Sequence, residues 1–98
     1  MSKSREARPI PQINIQTGVI TNGPIRLGGQ FEWVNSDATS TCTVSAPPEE
    51  LWFKPSPCIV KPSSEAAATA VLGKEQGWTY NVTGCPCKAN ARIPVVTH

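Results

Sequence analysis

Residues 41–46, Thr-Cys-Thr-Val-Ser-Ala, alternate in character at a strict period of two, and Pro47-Pro48 follows at once. A strand sends successive side chains to opposite faces, so Cys42, Val44 and Ala46 belong to one face and Thr41, Thr43 and Ser45 to the other. Consecutive prolines cannot continue a ladder, so the strand must stop there. The pattern recurs along the chain. Ile13 and Ile15 alternate with Asn14 and Gln16; Phe31 and Trp33 flank Glu32; Trp78, Tyr80 and Val82 alternate with Thr79, Asn81 and Thr83. Ala89, Ala91, Ile93 and Val95 form a last inward row with Pro94 facing out. Between Asn22-Gly23-Pro24 and Gly28-Gly29, Ile25 and Leu27 are expected on one face.

Ten prolines and seven glycines in 98 residues leave little room for a long helix. The one stretch with helical character is Ser63-Ser64-Glu65-Ala66-Ala67-Ala68-Thr69-Ala70-Val71-Leu72-Gly73, where a serine could cap and Gly73 could stop a helix. Thr69 and Val71 tilt it towards a strand, or a short helical turn leading into one. Pro47 to Ser64 reads as a long crossing connection with a brief extended piece at Cys58-Ile59-Val60. Six or seven short strands in a chain of this length predict an all-β domain, an antiparallel Greek-key β-sandwich or small barrel. One core accounts for the length, with residues 1–11 expected as a flexible arm and 12–98 as the folded domain.

The formal net charge is +2, and the basic residues Lys3, Arg5, Arg8, Arg26, Lys54, Lys61, Lys74, Lys88 and Arg92 are scattered. Phosphate-dominated recognition needs them clustered, so nucleic acid is not expected as a partner. Neither a leader nor a membrane span is legible, which predicts a cytoplasmic chain with no membrane role; a secreted or periplasmic domain shorn of its leader would read the same.

Four cysteines carry the chemistry: Cys42, Cys58, and the C-x-C pair Cys85 and Cys87. Structural zinc sites favour paired C-x₂₋₄-C knuckles, which this spacing does not supply. Three readings stand. Cys42, Cys85 and Cys87, with Cys58 as a fourth ligand, could hold a soft Zn or Cu(I) ion. Two disulfides could staple the domain, Cys42 and Cys58 each taking one of Cys85 and Cys87, because a bond between the last two would be strained across Pro86. Free buried thiols are the third. A thiol redox role is weaker, since C-x-C is not C-x-x-C and only Lys88 is an adjacent cation.

Other constellations argue against an enzyme. Glu49-Glu50 reads as a solvated loop, and a Ser-His-Asp arrangement would have to use His98 at the end of the chain. Trp33 and Trp78 fall on inward faces. Trp52-Phe53 lies in irregular chain and either caps the core or presents an interaction patch. Asn81-Val82-Thr83 has the form of a glycosylation sequon in mid-strand.

Two stretches, Gly28 to Ala46 with Phe31, Trp33, Asn35 and Asp37 at alternate positions, and Gly77 to Val96 with Cys85 in a loop before the last strand, resemble the cupredoxins. They cover about two fifths of the chain. The resemblance puts Cys42 where such a protein has its first histidine ligand, Cys85 near the ligand cysteine and Cys87 near the second histidine. A blue-copper centre needs two histidines, and this chain has only His98, with Met1 its sole methionine. The resemblance therefore implies a cupredoxin-like sandwich without a type 1 copper site; an immunoglobulin-like sandwich fits the same strands. The expectation is a non-enzymatic binding module with an unidentified protein partner and no cofactor. Its rivals are a thiolate metal-binding protein and a thiol redox protein.

Overall fold

The structure, a computed structural model, describes residues 10–87 and 91–97. Most of the expected arm lies outside the described residues, as do Lys88, Ala89 and His98. The described residues are all-β, with eleven strands and no helix. β1 (Gln12–Asn14), β2 (Ile20–Thr21), β4 (Gln30–Asn35), β8 (Ser64–Ala70) and β6 (Phe53–Lys54) form one sheet in the order β2-β1-β4-β8-β6. β10 (Asn81–Thr83), β5 (Cys42–Ser45) and β7 (Cys58–Val60) form a second; β3 (Ile25–Arg26), β11 (Ile93–Val96) and β9 (Lys74–Trp78) form a third.

The strand count exceeds six or seven in part because two expected strands are divided, one by a local turn and one by a contact from a residue distant in sequence. After β1, the Asn14 side chain accepts hydrogen bonds from the amides of Gln16 and Thr17, each at 3.0 Å, and Gly18 takes a positive φ of 76°. This Asx-type turn folds the segment into a β1–β2 hairpin. The Trp78-to-Val82 strand divides into β9, which pairs with β11, and β10, which pairs with β5. At the break, Trp52 Nε1 donates to the Thr79 carbonyl at 2.9 Å, taking an acceptor that a continuous ladder would use.

Two further expectations are corrected. Ile25 is buried, but Leu27 is 45% exposed: Gly29 N closes a turn on Arg26 O at 2.8 Å, and the chain leaves the strand there. The sheets are not purely antiparallel, because β1 runs parallel to β4 and β3 parallel to β11. Long connections separate both pairs in sequence, as parallel pairing requires. Pro94 does face out, in the middle strand of its sheet, and the register with β9 shifts between Ile93 and Val95. Gly77, at φ +102°, fills that irregularity, since a Cβ there would lie 2.6 Å from Arg92 Cβ. A bulge is where a strand tolerates a residue without an N–H.

The ambiguous alanine-rich tract is the strand β8, paired with β4 from Gln30↔Thr69 to Asn35↔Ser64. Its small side chains, with Ala68 and Ala70 buried, leave room for large neighbours. Phe31, Trp33, Trp52 and Phe53 fill it as one aromatic cluster. Phe31 stacks on Trp52 at 5.8 Å between centroids, and Trp33 meets Phe53 edge-on at 5.1 Å. The core continues through Ile13, Ile15, Cys42, Val44, Cys58, Val60, Trp78 and Ile93. Trp33 Nε1 is buried without a hydrogen-bond partner.

Candidate functional site: the disulfide end

Three segments meet where β4 ends, β5 begins and β10 runs out. β5 and β10 pair as Val44↔Val82 and Thr43↔Thr83, a register that would next set Gly84 opposite Cys42. Gly84 instead adopts φ +88° and lies so close to the chain before β5 that a Cβ would come within 2.6 Å of the Thr41 carbonyl oxygen. That bend carries Cys85 to Cys42, and the two form a disulfide with Cα atoms 5.0 Å apart, closing a sequence separation of 43.

Gln16 ties this bond to the rest of the site. Its Nε2 donates to Cys42 Sγ at 3.3 Å, to Cys85 Sγ at 3.6 Å and to Asn35 Oδ1 at 2.9 Å, while its Oε1 accepts from Ser36 N and Ser36 Oγ at 3.0 Å. Asn35, 1% exposed, is the one buried polar residue among the described residues. Its Nδ2 donates to the carbonyls of Ser40, Val60 and Lys61 at 2.7, 3.1 and 3.2 Å, and its Oδ1 also accepts from Asp37 N. Burial is tolerable here because both ends of the amide are satisfied. Asp37 then fixes the loop before β5. Hydrogen bonds from Ser40, side chain first and backbone next, hold its carboxyl below the usual carboxylate range.

Cys87 stands on the same loop as Cys85, half-buried and free. Its thiol donates to the Ile15 carbonyl at 3.1 Å, and the Tyr80 hydroxyl donates to the same oxygen at 2.9 Å. Burial, and then the negative charge available at Cys87, push the Tyr80 phenol up to about 12. It therefore stays a neutral donor at physiological pH. The backbone of one dipeptide and its side chains thus touch every sulfur of the cluster: Gln16 both atoms of the disulfide, Ile15 the remaining thiol.

The structure brings together three of the four cysteines singled out in the sequence. Cys58 lies on β7 opposite Val44, 3% exposed, and burial pushes its thiol up. The expectation of two disulfides is corrected to one, with Cys58 and Cys87 free. The four-thiolate ligand set does not form either, since Cys42 and Cys85 are bonded and Cys58 faces the core. Among the described residues no group of three or more His, Cys, Asp and Glu side chains is placed to hold a metal ion. Trp52 and Phe53, at 0% and 1% exposure, lie in the aromatic core and offer no surface.

Sequence reasoning missed Gln16 and the structural weight of Asn35. For Asn35 a signal existed: it shares the inward face with Phe31 and Trp33, and a polar residue there needs partners. Gln16 gave none. A shallow cleft of about 310 Å³ on the outer face of β1, β2 and β4 is lined by Gln12, Asn14, Thr17, Val19, Thr21 and Val34, without a titratable group. Among the described residues no helix is long and apolar enough to cross a membrane. Comparisons with family models, with curated proteins and with solved structures find no match to this chain.

Proposed function

We propose that this chain is a small non-enzymatic binding module, a cupredoxin-like or immunoglobulin-like sandwich without a type 1 copper site, that recognises a protein partner through its disulfide end. One observation carries the reading: the loops at that end are locked to one another before any partner arrives. Gln16 joins the β1–β2 turn to Asn35 at the end of β4 and to Ser36 just after it, and to the bond between the chain starting β5 and the loop after β10. Loops held on a rigid β scaffold lose little entropy on binding, which is what a recognition surface requires. Ser36, Ala38, Thr39, Thr41 and Pro86 are exposed around the bond and supply the contact face. The module needs no cofactor in this reading, and its disulfide favours an oxidising compartment.

The test is affinity capture with the oxidised chain as bait. A partner retained by the wild type and by Leu27→Glu, at the opposite end of β4, but lost with Ala38→Glu and Thr41→Glu supports the reading. Equal capture by all the baits, or loss only with Leu27→Glu, refutes it.

A further inference from the structure

We propose that the disulfide of Cys42 is exchangeable: it shifts between Cys85 and Cys87, so that the free thiol of this loop moves between those two positions. Three sulfurs and two adjacent residues make the device. Gln16 Nε2 already donates to both atoms of the existing bond, at 3.3 Å to Cys42 Sγ and 3.6 Å to Cys85 Sγ. A donor so placed stabilises the negative charge that develops on Cys85 Sγ as it departs. Cys87 is anchored to the preceding carbonyl, that of Ile15, at 3.1 Å. Cys85 and Cys87 cannot easily bond each other across Pro86, so Cys42 is their common partner.

The step balances without an external oxidant. Cys87 gives its proton to water and its thiolate attacks Cys42 Sγ. The Cys42–Cys87 bond forms as the Cys42–Cys85 bond breaks, and Cys85 leaves as a thiolate that takes a proton from water. Cys85 is half-exposed, so its departing charge is hydrated as well as held by Gln16. Cys42, at 0% exposure, is closed to bulky external thiols, which leaves the thiol on its own neighbouring loop as the attacking group. Cys58 stays out of the exchange, since its side chain is in the core and burial keeps it protonated. The outcome is a change of loop closure at fixed oxidation state. Gly84 is released from its contact with Thr41, and a surface thiol appears at Cys85. This inference does not depend on what the module binds.

The experiment is a labelling snapshot of the intact, unreduced chain. The protein is equilibrated at pH 8, pulsed with excess N-ethylmaleimide, then unfolded, reduced and labelled with iodoacetamide. Trypsin cutting after Lys74 and Lys88 yields one peptide holding both Cys85 and Cys87, and fragmentation at Pro86 assigns each label. Exchange predicts maleimide on Cys87 in most molecules and on Cys85 in a reproducible minority, with Cys58 unlabelled. In Cys87→Ser and Cys87→Ala the Cys85 signal falls at least tenfold. Maleimide on Cys87 alone overturns the proposal, as does a Cys85 signal that survives both substitutions. The wild-type snapshot decides the first point even if a variant fails to fold.

Discussion

Reducing the Cys42–Cys85 bond in the wild-type chain changes no residue and so isolates the contribution of the cross-link. The bond closes a sequence separation of 43. In the chain-entropy treatment, closing a loop of that length removes about 13 cal/mol/K from the unfolded state, a stabilisation of about 4 kcal/mol at 25 °C. Native domains of this size hold roughly 5–15 kcal/mol in total, so the bond is a large share of the whole. Urea unfolding, followed by the fluorescence of the buried tryptophans, is the assay. With a slope of about 1–2 kcal/mol per molar, reduction should lower the midpoint by roughly 2–4 M. Trp33 and Trp52, both fully buried, should report one cooperative transition in each state. A midpoint shift under about 0.5 M would refute the reasoning, because it would mean that the unfolded chain gains almost no freedom when the bond opens.

The remaining predictions concern the groups around that bond. Tyr80 is the sole tyrosine, so tyrosinate absorbance titrates it alone; the midpoint should lie near 12, and Cys87→Ser should move it down by removing a neighbouring negative charge. Because the folded value is raised from 10.0, this group's contribution to stability is intact below pH 10 and fades as pH climbs towards 12. Gly84→Ala sets a Cβ 2.6 Å from the Thr41 carbonyl oxygen at a positive φ and should cost about 2 kcal/mol or more by urea unfolding; a neutral effect would show that the loop does not close as described. Asn35→Asp is nearly isosteric but turns an acceptor towards the Ser40, Val60 and Lys61 carbonyls, so a loss of at least about 3 kcal/mol at neutral pH is expected, and tolerance would contradict the assigned amide orientation.

Much of this fold is legible in the sequence wherever local alternation and tertiary burial agree. Cys42, Val44 and Ala46 face the core as the period of two requires, and so do Phe31 and Trp33. The alanine-rich tract becomes a strand because β4 offers a long partner and a layer of aromatic rings demands small neighbours, a tertiary preference that outweighs alanine's helical one. What escapes is decided by contacts distant in sequence. Nothing near Thr79 announces that an indole from residue 52 will take its carbonyl and split the strand. Leu27 alternates correctly with Ile25 yet turns outward, because the glycine turn behind it ends the strand one residue early.

The candidate site divides in the same way. That Cys42 could reach Cys85 or Cys87 follows from the spacing; which of them it takes depends on Gly84 bending the loop against Thr41. The sequence offers Cys58 as a fourth ligand or a disulfide partner, but its register opposite Val44 turns it into a core residue. Gln16 belongs to a polar turn and acquires its role only when the loops after β4 and β10 fold around it. The Trp52-Phe53 pair is ambiguous in sequence because burial in irregular chain carries no periodicity to read.

One bond and two free thiols distinguish this chain from a fully bridged or a fully reduced one, and intact mass under non-reducing conditions separates the three. The oxidised chain should weigh two hydrogens less than the fully reduced one, with two alkylatable thiols on denaturation and a cross-linked peptide joining Cys42 to the Cys85–Cys87 loop. Equal masses with four free thiols, or a deficit of four hydrogens with none, would contradict this pairing.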